Sequence, residues 1–237
     1  MRRIEKDREP SCLADLRSTP GADWSSVHGT QKQQMREYAF KEQRGLCAYC
    51  MSRLSEPPSD KGMKIEHFDA RALSPERVFD WGNLLGVCMG GLGIHGDPGE
   101  GGGDHRARYH CDTYRGYIPR KEEQRLGLNP AAFPPDVSSM FSYTNQGEMR
   151  PAHGLEPTMR ASAEAQIDRL NLNIRRLQRN REAVIGALRS EFRRKPPKVA
   201  RVKELLKHWS TPDGTGLLPP HCQAAVYYLE KKLRQLG

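Results

Sequence analysis

The sequence predicts an α+β protein in which an N-terminal arm and helix precede a small cysteine-rich domain and a mainly α-helical, basic C-terminal region. Three observations support this fold class. Four of the six cysteines lie between positions 47 and 111, apolar residues recur at helical spacing after about residue 157, and hydrophobic residues make up only 36% of the 237-residue chain. One large core is therefore not expected, and metal or partner contacts should add stability.

The net charge of +9 belongs to the C-terminal part of the chain. Residues 151–237 hold 17 Lys and Arg against 8 Asp and Glu, whereas residues 1–150 are balanced. Such a segment suits contact with nucleic acid, because Lys and Arg neutralise phosphates. A solvated helical surface explains the charge almost as well, so both interpretations stay open.

The sequence also indicates a cytoplasmic protein. No apolar run approaches the roughly 20 residues of a membrane span, and residues 1–9 lack the apolar region of a secretory signal. Because thiols stay reduced in the cytoplasm, four clustered cysteines favour a bound metal over a pair of disulfides. Cys12 and Cys222 are isolated from that cluster.

Residues 1–45 form the first predicted segment. Residues 1–30 mix charge with Ser, Pro and Gly and show little periodicity, so we expect an irregular arm with Trp24 as a single anchor. From Gln31 to Gly45 the apolar residues recur at helical spacing, and the final glycine can end a helix.

Residues 46–135 form the second predicted segment, the metal domain. A turn-rich connection leads to a short strand at Met63 to Phe68 that carries an acid–histidine pair. Residues 71–87 then form a loop that leads to a helix or tight turn around Asn83.

Residues 136–237 form the third predicted segment. A small hairpin turns at Asn145 to Gly147, and one long helix begins near Pro157 and ends at Lys195, before two prolines. Two shorter helices follow. A packed three-helix unit is the simpler interpretation, and a surface for docking a partner is the alternative.

The cysteine spacing predicts a zinc site. Cys47 and Cys50 are separated by two residues, so a short turn can point both sulfurs at one ion, and Cys88 and Cys111 complete a tetrahedral shell. A redox pair would share the first spacing but sits in a βαβ unit, which this sequence lacks. Three histidines offer substitute ligands: His95, His105 and His110. The last is the best of them because it adjoins Cys111.

Residues 89–110, between Cys88 and Cys111, include eight glycines among 22 residues. We predict a flexible insertion, since glycine loses the most backbone freedom on folding. A phosphate-binding loop is the alternative, but the lysine and following helix of a P-loop are missing.

Glu66 and His67 have the chemistry that phosphodiester hydrolysis requires. A neutral imidazole can take a proton from water near pH 7, and a carboxylate can bind Mg²⁺. Adjacent strand residues point to opposite faces, so the two side chains converge only at a strand end or bend. A structural histidine is the alternative.

Asn83 and Asp112 are further candidates. Asn83 could cap a turn, provide an amide oxygen to a metal, or orient His67. Asp112, directly after Cys111, could bind the metal or cap a helix.

In this order the motifs resemble those of the HNH endonucleases, and in particular the retron-associated branch, the PtuB-type subunit of Septu anti-phage systems. The resemblance covers roughly residues 31–190. The matching motifs are Cys47-Ala-Tyr-Cys50, Lys64-Ile-Glu-His-Phe68, Trp81-Gly-Asn-Leu-Leu-Gly-Val-Cys88, His110-Cys-Asp112 and Leu128-Asn-Pro130.

The resemblance implies a ββα-metal domain in which four thiols hold structural Zn²⁺, His67 is the general base, and Glu66 and Asn83 help to hold catalytic Mg²⁺ or Mn²⁺. It further implies a DNA substrate, an ATPase subunit of the ABC/SMC-like PtuA type, and in some systems a reverse transcriptase with its RNA–DNA product. The sequence departs from the family pattern in two places. The second thiol pair, which is usually closely spaced, is separated here by 22 residues. Asp112 stands where many HNH motifs have His or Asn.

Two other functions compete with an endonuclease. A zinc-containing module could bind nucleic acid or a partner without cleaving anything, with His67 purely structural. A redox protein using Cys47 and Cys50 ranks last.

Overall fold

A computed structural model describes residues 1–92, 105–132 and 136–237. In these ranges, β1 (Lys64–His67) pairs with β2 (Leu84–Val87), and β3 (Phe141–Tyr143) pairs with β4 (Met149–Pro151), both antiparallel. The helices are α1 (Ser11–Ser18), α2 (Gly29–Glu42), α3 (Cys111–Arg115), α4 (Pro157–Arg169), α5 (Arg175–Arg194), α6 (Val199–Ser210) and α7 (Cys222–Leu236). The mixture of helices with small sheets confirms an α+β fold.

The N-terminal segment is more ordered than predicted. Instead of an irregular arm over residues 1–30, it forms α1 and buries Leu13 in the main core. The Lys6 ammonium donates to the Leu84 carbonyl at 2.7 Å and lies 3.6 Å from the centroid of the Trp81 ring. The prediction was wrong because α1 has only eight residues, and its apolar face is hard to recognise among charged neighbours.

α2 and β1 confirm the helix and the strand predicted for these parts of the chain. The first sheet packs against α2. The Gln43 side chain joins the two elements, since its amide donates to the Gly86 carbonyl and accepts from the Gly86 N–H, both at 2.7 Å. β2 was predicted as a loop and a turn. All four of its residues are buried, so it lacks the alternation that reveals a strand with one exposed face.

Asn171 interrupts the single long helix predicted after residue 157. α4 and α5 take its place, and between them Asn171 adopts a φ of +46°, a conformation that asparagine tolerates better than most residues. Its amide donates to the Tyr109 carbonyl at 2.8 Å, while the Leu170 carbonyl accepts from the Cys111 N–H at 2.7 Å. The break therefore holds the chain that enters α3.

Helices α5, α6 and α7 pack together, so a three-helix unit forms with α5 in place of the single long helix predicted from residue 157. Its core contains Leu188, Phe192, Val202, Leu205, Ala225 and Leu229. The main core draws residues from all three predicted segments, among them Leu13, Leu84 and Phe141. Domain boundaries after residues 45 and 135 stay a prediction. None of the helices in the described ranges combines the length and apolar character needed to span a bilayer.

Arg181 of α5 is buried beneath the predicted hairpin, which β3 and β4 form. Its Nε donates to the Gly147 carbonyl at 2.6 Å and its Nη2 to the Leu172 carbonyl at 2.7 Å. One guanidinium thus ties the hairpin turn to the connection between α4 and α5.

Arg181→Ala should lower the free energy of unfolding by about 3 kcal/mol, because each buried carbonyl left without a donor costs about 1–3 kcal/mol. Urea unfolding followed by circular dichroism would measure the change. The exposed Arg193→Ala should stay within about 0.5 kcal/mol of the parent. Equal losses in the two variants would contradict this role.

Candidate metal centre and active site

Four cysteine sulfurs converge beside the first sheet. The ligand atoms of Cys47, Cys50, Cys88 and Cys111 all lie within 4.8 Å of one another. The Sγ atoms of Cys47 and Cys111 are 3.9 Å apart, and those of Cys50 and Cys88 are 3.7 Å apart. Sulfurs bound at about 2.3 Å to a tetrahedral zinc ion are separated by about 3.8 Å. The four thiols are free and fit such an ion.

Three segments of the chain deliver these thiols. Cys47 and Cys50 come from a tight turn in which the Met51 N–H donates to the Cys47 carbonyl at 3.1 Å. Cys88 directly follows β2. Cys111 begins α3 with a φ of +55°, a conformation that few non-glycine residues adopt, so the entry into α3 is tightly constrained.

His110 lies beside the thiol cluster. Its Nδ1 is 3.1 Å from the Cys111 sulfur and 3.9 Å from the Cys88 sulfur. Because all four thiols already gather, a bound metal explains the site better than a redox pair of Cys47 and Cys50. His95, the side chain of His105 and most of the glycine-rich insertion lie outside the described residues.

The carboxyl groups of Glu66 and Asp112 meet on the α3 side of β1. Arg115 Nη2 donates to Glu66 Oε1, and Lys64 Nζ donates to Asp112 Oδ2 at 2.8 Å. Burial raises the pKa of Glu66 well above its usual range, against the charge of Arg115. Burial also acts to raise the pKa of Asp112, but a hydrogen bond from Glu66 and the charge of Lys64 outweigh it and lower that pKa. The two groups therefore titrate as a pair in which Asp112 ionises first.

Glu66 and Asp112 fit the donor chemistry of a catalytic divalent ion, because Mg²⁺ and Mn²⁺ prefer carboxylate oxygens. One oxygen of each carboxyl group already has a cationic partner, Asp112 Oδ2 in Lys64 and Glu66 Oε1 in Arg115. A metal ion bound through those two oxygens would have to displace or share these contacts.

Arg115 was not singled out from the sequence. Besides Glu66, it donates to the backbone carbonyls of His67 at 2.7 Å and Phe68 at 3.0 Å, so it fixes the end of β1 to α3. The available signal was its spacing of three residues from Asp112, which places both on one side of a helix. α3 is only five residues long, too short to be recognised by periodicity.

His67 is the last residue of β1 and does not share a face with Glu66, since successive side chains of a strand alternate. Its Nε2 lies 2.9 Å from the Val78 carbonyl. A carbonyl only accepts, so Nε2 carries the hydrogen and Nδ1 keeps the lone pair. The ring also meets the Trp24 ring edge to face, with centroids 4.4 Å apart. Burial lowers the pKa of His67 to about 4, which keeps the imidazole neutral near pH 7.

Asn83 holds the loop that follows β1. Its Oδ1 accepts from the Asp69 N–H at 2.7 Å, and its Nδ2 donates to the carbonyls of Asp69 at 3.2 Å and Arg77 at 3.1 Å. Arg77 immediately precedes Val78, whose carbonyl anchors His67. The contacts favour the predicted role in orienting the histidine, while metal binding by Asn83 stays a prediction.

Comparison with known proteins gives one curated relative and no family model. None of the known protein-family models matches the chain. The chain is 27% identical over 132 residues to "Retron Ec83 putative HNH endonuclease" of Escherichia coli, a match that covers 52% of the chain and 49% of that relative. The chain thus spans about half the length of the curated relative it matches. This similarity confirms the resemblance to the HNH endonucleases.

Loss of one thiol should remove a bound metal. We expect Cys111→Ser to lower the metal content of the purified protein, measured by inductively coupled plasma mass spectrometry, and to lower its melting temperature, because a structural metal adds its binding energy to folding. Cys12→Ala, outside the cluster, should retain the metal. Equal metal content in both variants would contradict the assignment.

Asn83→Ala should release the loop after β1. We expect the free energy of unfolding to fall by about 3 kcal/mol, since buried backbone groups lose their partners. The Asp69 amide should lose protection from hydrogen exchange, measured by NMR, whereas the exposed Asn180→Ala should leave it unchanged. A protected Asp69 amide in Asn83→Ala would show that the loop does not depend on this side chain.

Proposed function

We propose that this relative of the HNH endonucleases is a metal-dependent endonuclease that hydrolyses phosphodiester bonds of DNA. The observation that carries the proposal is the arrangement at the end of β1, where Glu66 and Asp112 meet on one side and His67 is oriented on the other. β1, β2, α3 and the adjacent thiols support the finer interpretation as a ββα-metal domain with structural Zn²⁺.

In this proposal His67 is the general base. The Val78 carbonyl holds its Nε2–H, which leaves Nδ1 to accept a proton from the attacking water. Glu66 and Asp112 hold the catalytic metal, with Asn83 as a further candidate ligand. When bound, Mg²⁺ or Mn²⁺ supplies Lewis-acid stabilisation of the phosphate and of the leaving oxygen. Arg115 keeps Glu66 and the strand end in register with α3.

We further propose that the protein acts in the cytoplasm as the effector of an anti-phage defence complex. The name of the Escherichia coli relative links that protein to a retron. For this chain the proposed partners are an ABC/SMC-like ATPase of the PtuA type and, in a retron context, a reverse transcriptase with its RNA–DNA product. Control by a partner would protect the host from an unrestrained nuclease.

A non-catalytic, zinc-containing module that binds nucleic acid or a partner is the second candidate. Two observations favour it: His67 is only 6% exposed, and one carboxyl oxygen of each acid is already paired, Glu66 Oε1 with Arg115 and Asp112 Oδ2 with Lys64. In this alternative the thiol cluster stabilises the fold and the basic helices bind.

Supercoiled plasmid incubated with Mg²⁺ or Mn²⁺ tests the proposal. The parent should cleave it, and His67→Ala should lose about 100-fold or more in rate, because a general base contributes about 10²–10⁴-fold. The exposed His153→Ala, matched in residue type, should cleave like the parent.

Metal content and circular dichroism would establish that His67→Ala keeps the thiol-bound metal and the fold. If the parent cuts nothing alone, the assay is repeated with an ABC/SMC-like ATPase of the proposed PtuA type. Inactivity there as well, or full activity of His67→Ala, would overturn the proposed mechanism.

A further inference from the structure

We propose that Trp24 is a positioning residue for His67, holding the imidazole in the one orientation that presents Nδ1 to the reacting water. This inference rests on the proposed function. Trp24 lies outside every motif of the metal domain, more than 20 residues before Cys47, the first thiol of the metal cluster. It reaches the site because the N-terminal segment folds back over the first sheet.

The contacts of His67 show why a second restraint is needed. One hydrogen bond, from Nε2 to the Val78 carbonyl at 2.9 Å, fixes a single atom of the ring. The terminal torsion of a histidine side chain has broad minima, so a ring held at one atom can still pivot. The indole of Trp24 blocks that motion, since its plane stands at 81° to the imidazole with the centroids 4.4 Å apart.

The short turn that carries Trp24 is capped, and two cations lie near the indole ring. Asp23 accepts hydrogen bonds from the Ser25 N–H at 2.7 Å and the Ser26 N–H at 3.3 Å, which rigidifies the short 3₁₀ turn that carries the indole. Lys32 Nζ from α2 and Arg71 Cζ from the loop after β1 each lie 6.0 Å from the Trp24 ring centroid. That distance is at the outer limit of a cation–π interaction.

The arrangement therefore gives His67 two restraints from different parts of the chain. The Val78 carbonyl comes from the loop held by Asn83, and the indole comes from the N-terminal segment. Misplacing a catalytic group by about 1 Å can lower a rate about 100-fold. Removing the indole should thus act on the chemical step, while substrate binding changes little.

The kinetic test compares Trp24→Ala with Trp24→Phe. We expect Trp24→Ala to lower kcat about 10- to 100-fold with KM within about twofold of the parent. Trp24→Phe keeps an aromatic partner for the imidazole and should recover most of the loss. Trp209→Ala, which removes an indole from the C-terminal helices, controls for a general loss of packing and should retain kcat.

A second readout does not depend on cleavage. Diethyl pyrocarbonate acylates accessible neutral imidazoles, and peptide mass spectrometry gives the rate at each histidine. His67 should react at least about fivefold faster in Trp24→Ala than in the parent, because the indole that covers the ring is gone. The rate should stay low in Trp24→Phe and in Trp209→Ala, with the exposed His153 as the internal reference.

The two readouts separate the inference from the proposed function. Suppose the parent protein is inactive but acylation of His67 is faster only in Trp24→Ala. That result would contradict the endonuclease proposal and support Trp24 as the group that restrains the ring. An unchanged kcat together with unchanged reactivity of His67 would overturn the inference. So would a rise in kcat of Trp24→Ala, since the indole would then obstruct His67 instead of orienting it.

Discussion

The convergence of four cysteine sulfurs is the constraint on which the rest of the site depends. It joins the turn at Cys47, the end of β2 and the start of α3. α3 has only five residues and could not hold its place alone. Once anchored at Cys111, it brings Asp112 and Arg115 against Glu66. The chemistry of the carboxyl groups therefore relies on the sulfurs.

The pleat of β1 divides the site into two halves with different supports. Glu66 faces the charged groups of α3, whereas His67 faces a backbone carbonyl and an indole. Each half has its own scaffold, so a change in one can leave the other intact. Within a strand, alternation keeps the side chains of Glu66 and His67 on opposite faces. A phosphate that contacts both side chains therefore has to lie across the end of β1.

The features that were predictable from sequence are those with a strong local pattern. The spacing of Cys47 and Cys50, the strand before Phe68, the hairpin at Asn145 and the C-terminal helices all have signals confined to a few neighbouring residues. The failures depend on tertiary contacts. α1 and β2 are short and lack a clear period, and the break at Asn171 depends on the carbonyl of a distant loop. The role of Asn83 could be proposed only as an option, because its three backbone partners lie on a loop whose path no local pattern reveals.

The fold of the N-terminal segment means that a fragment containing only the motif residues would lack part of the folded structure. Every motif residue follows Leu46, so a fragment chosen by its motifs would keep all the candidate ligands and discard Lys6 and α1. It would also leave the Leu84 carbonyl without its donor and uncover one face of Trp81. A sheet stripped in this way tends to pair with other chains. Aggregation of such a fragment would then result from the loss of the N-terminal segment that covers the sheet, and would not mean that the active-site residues are absent.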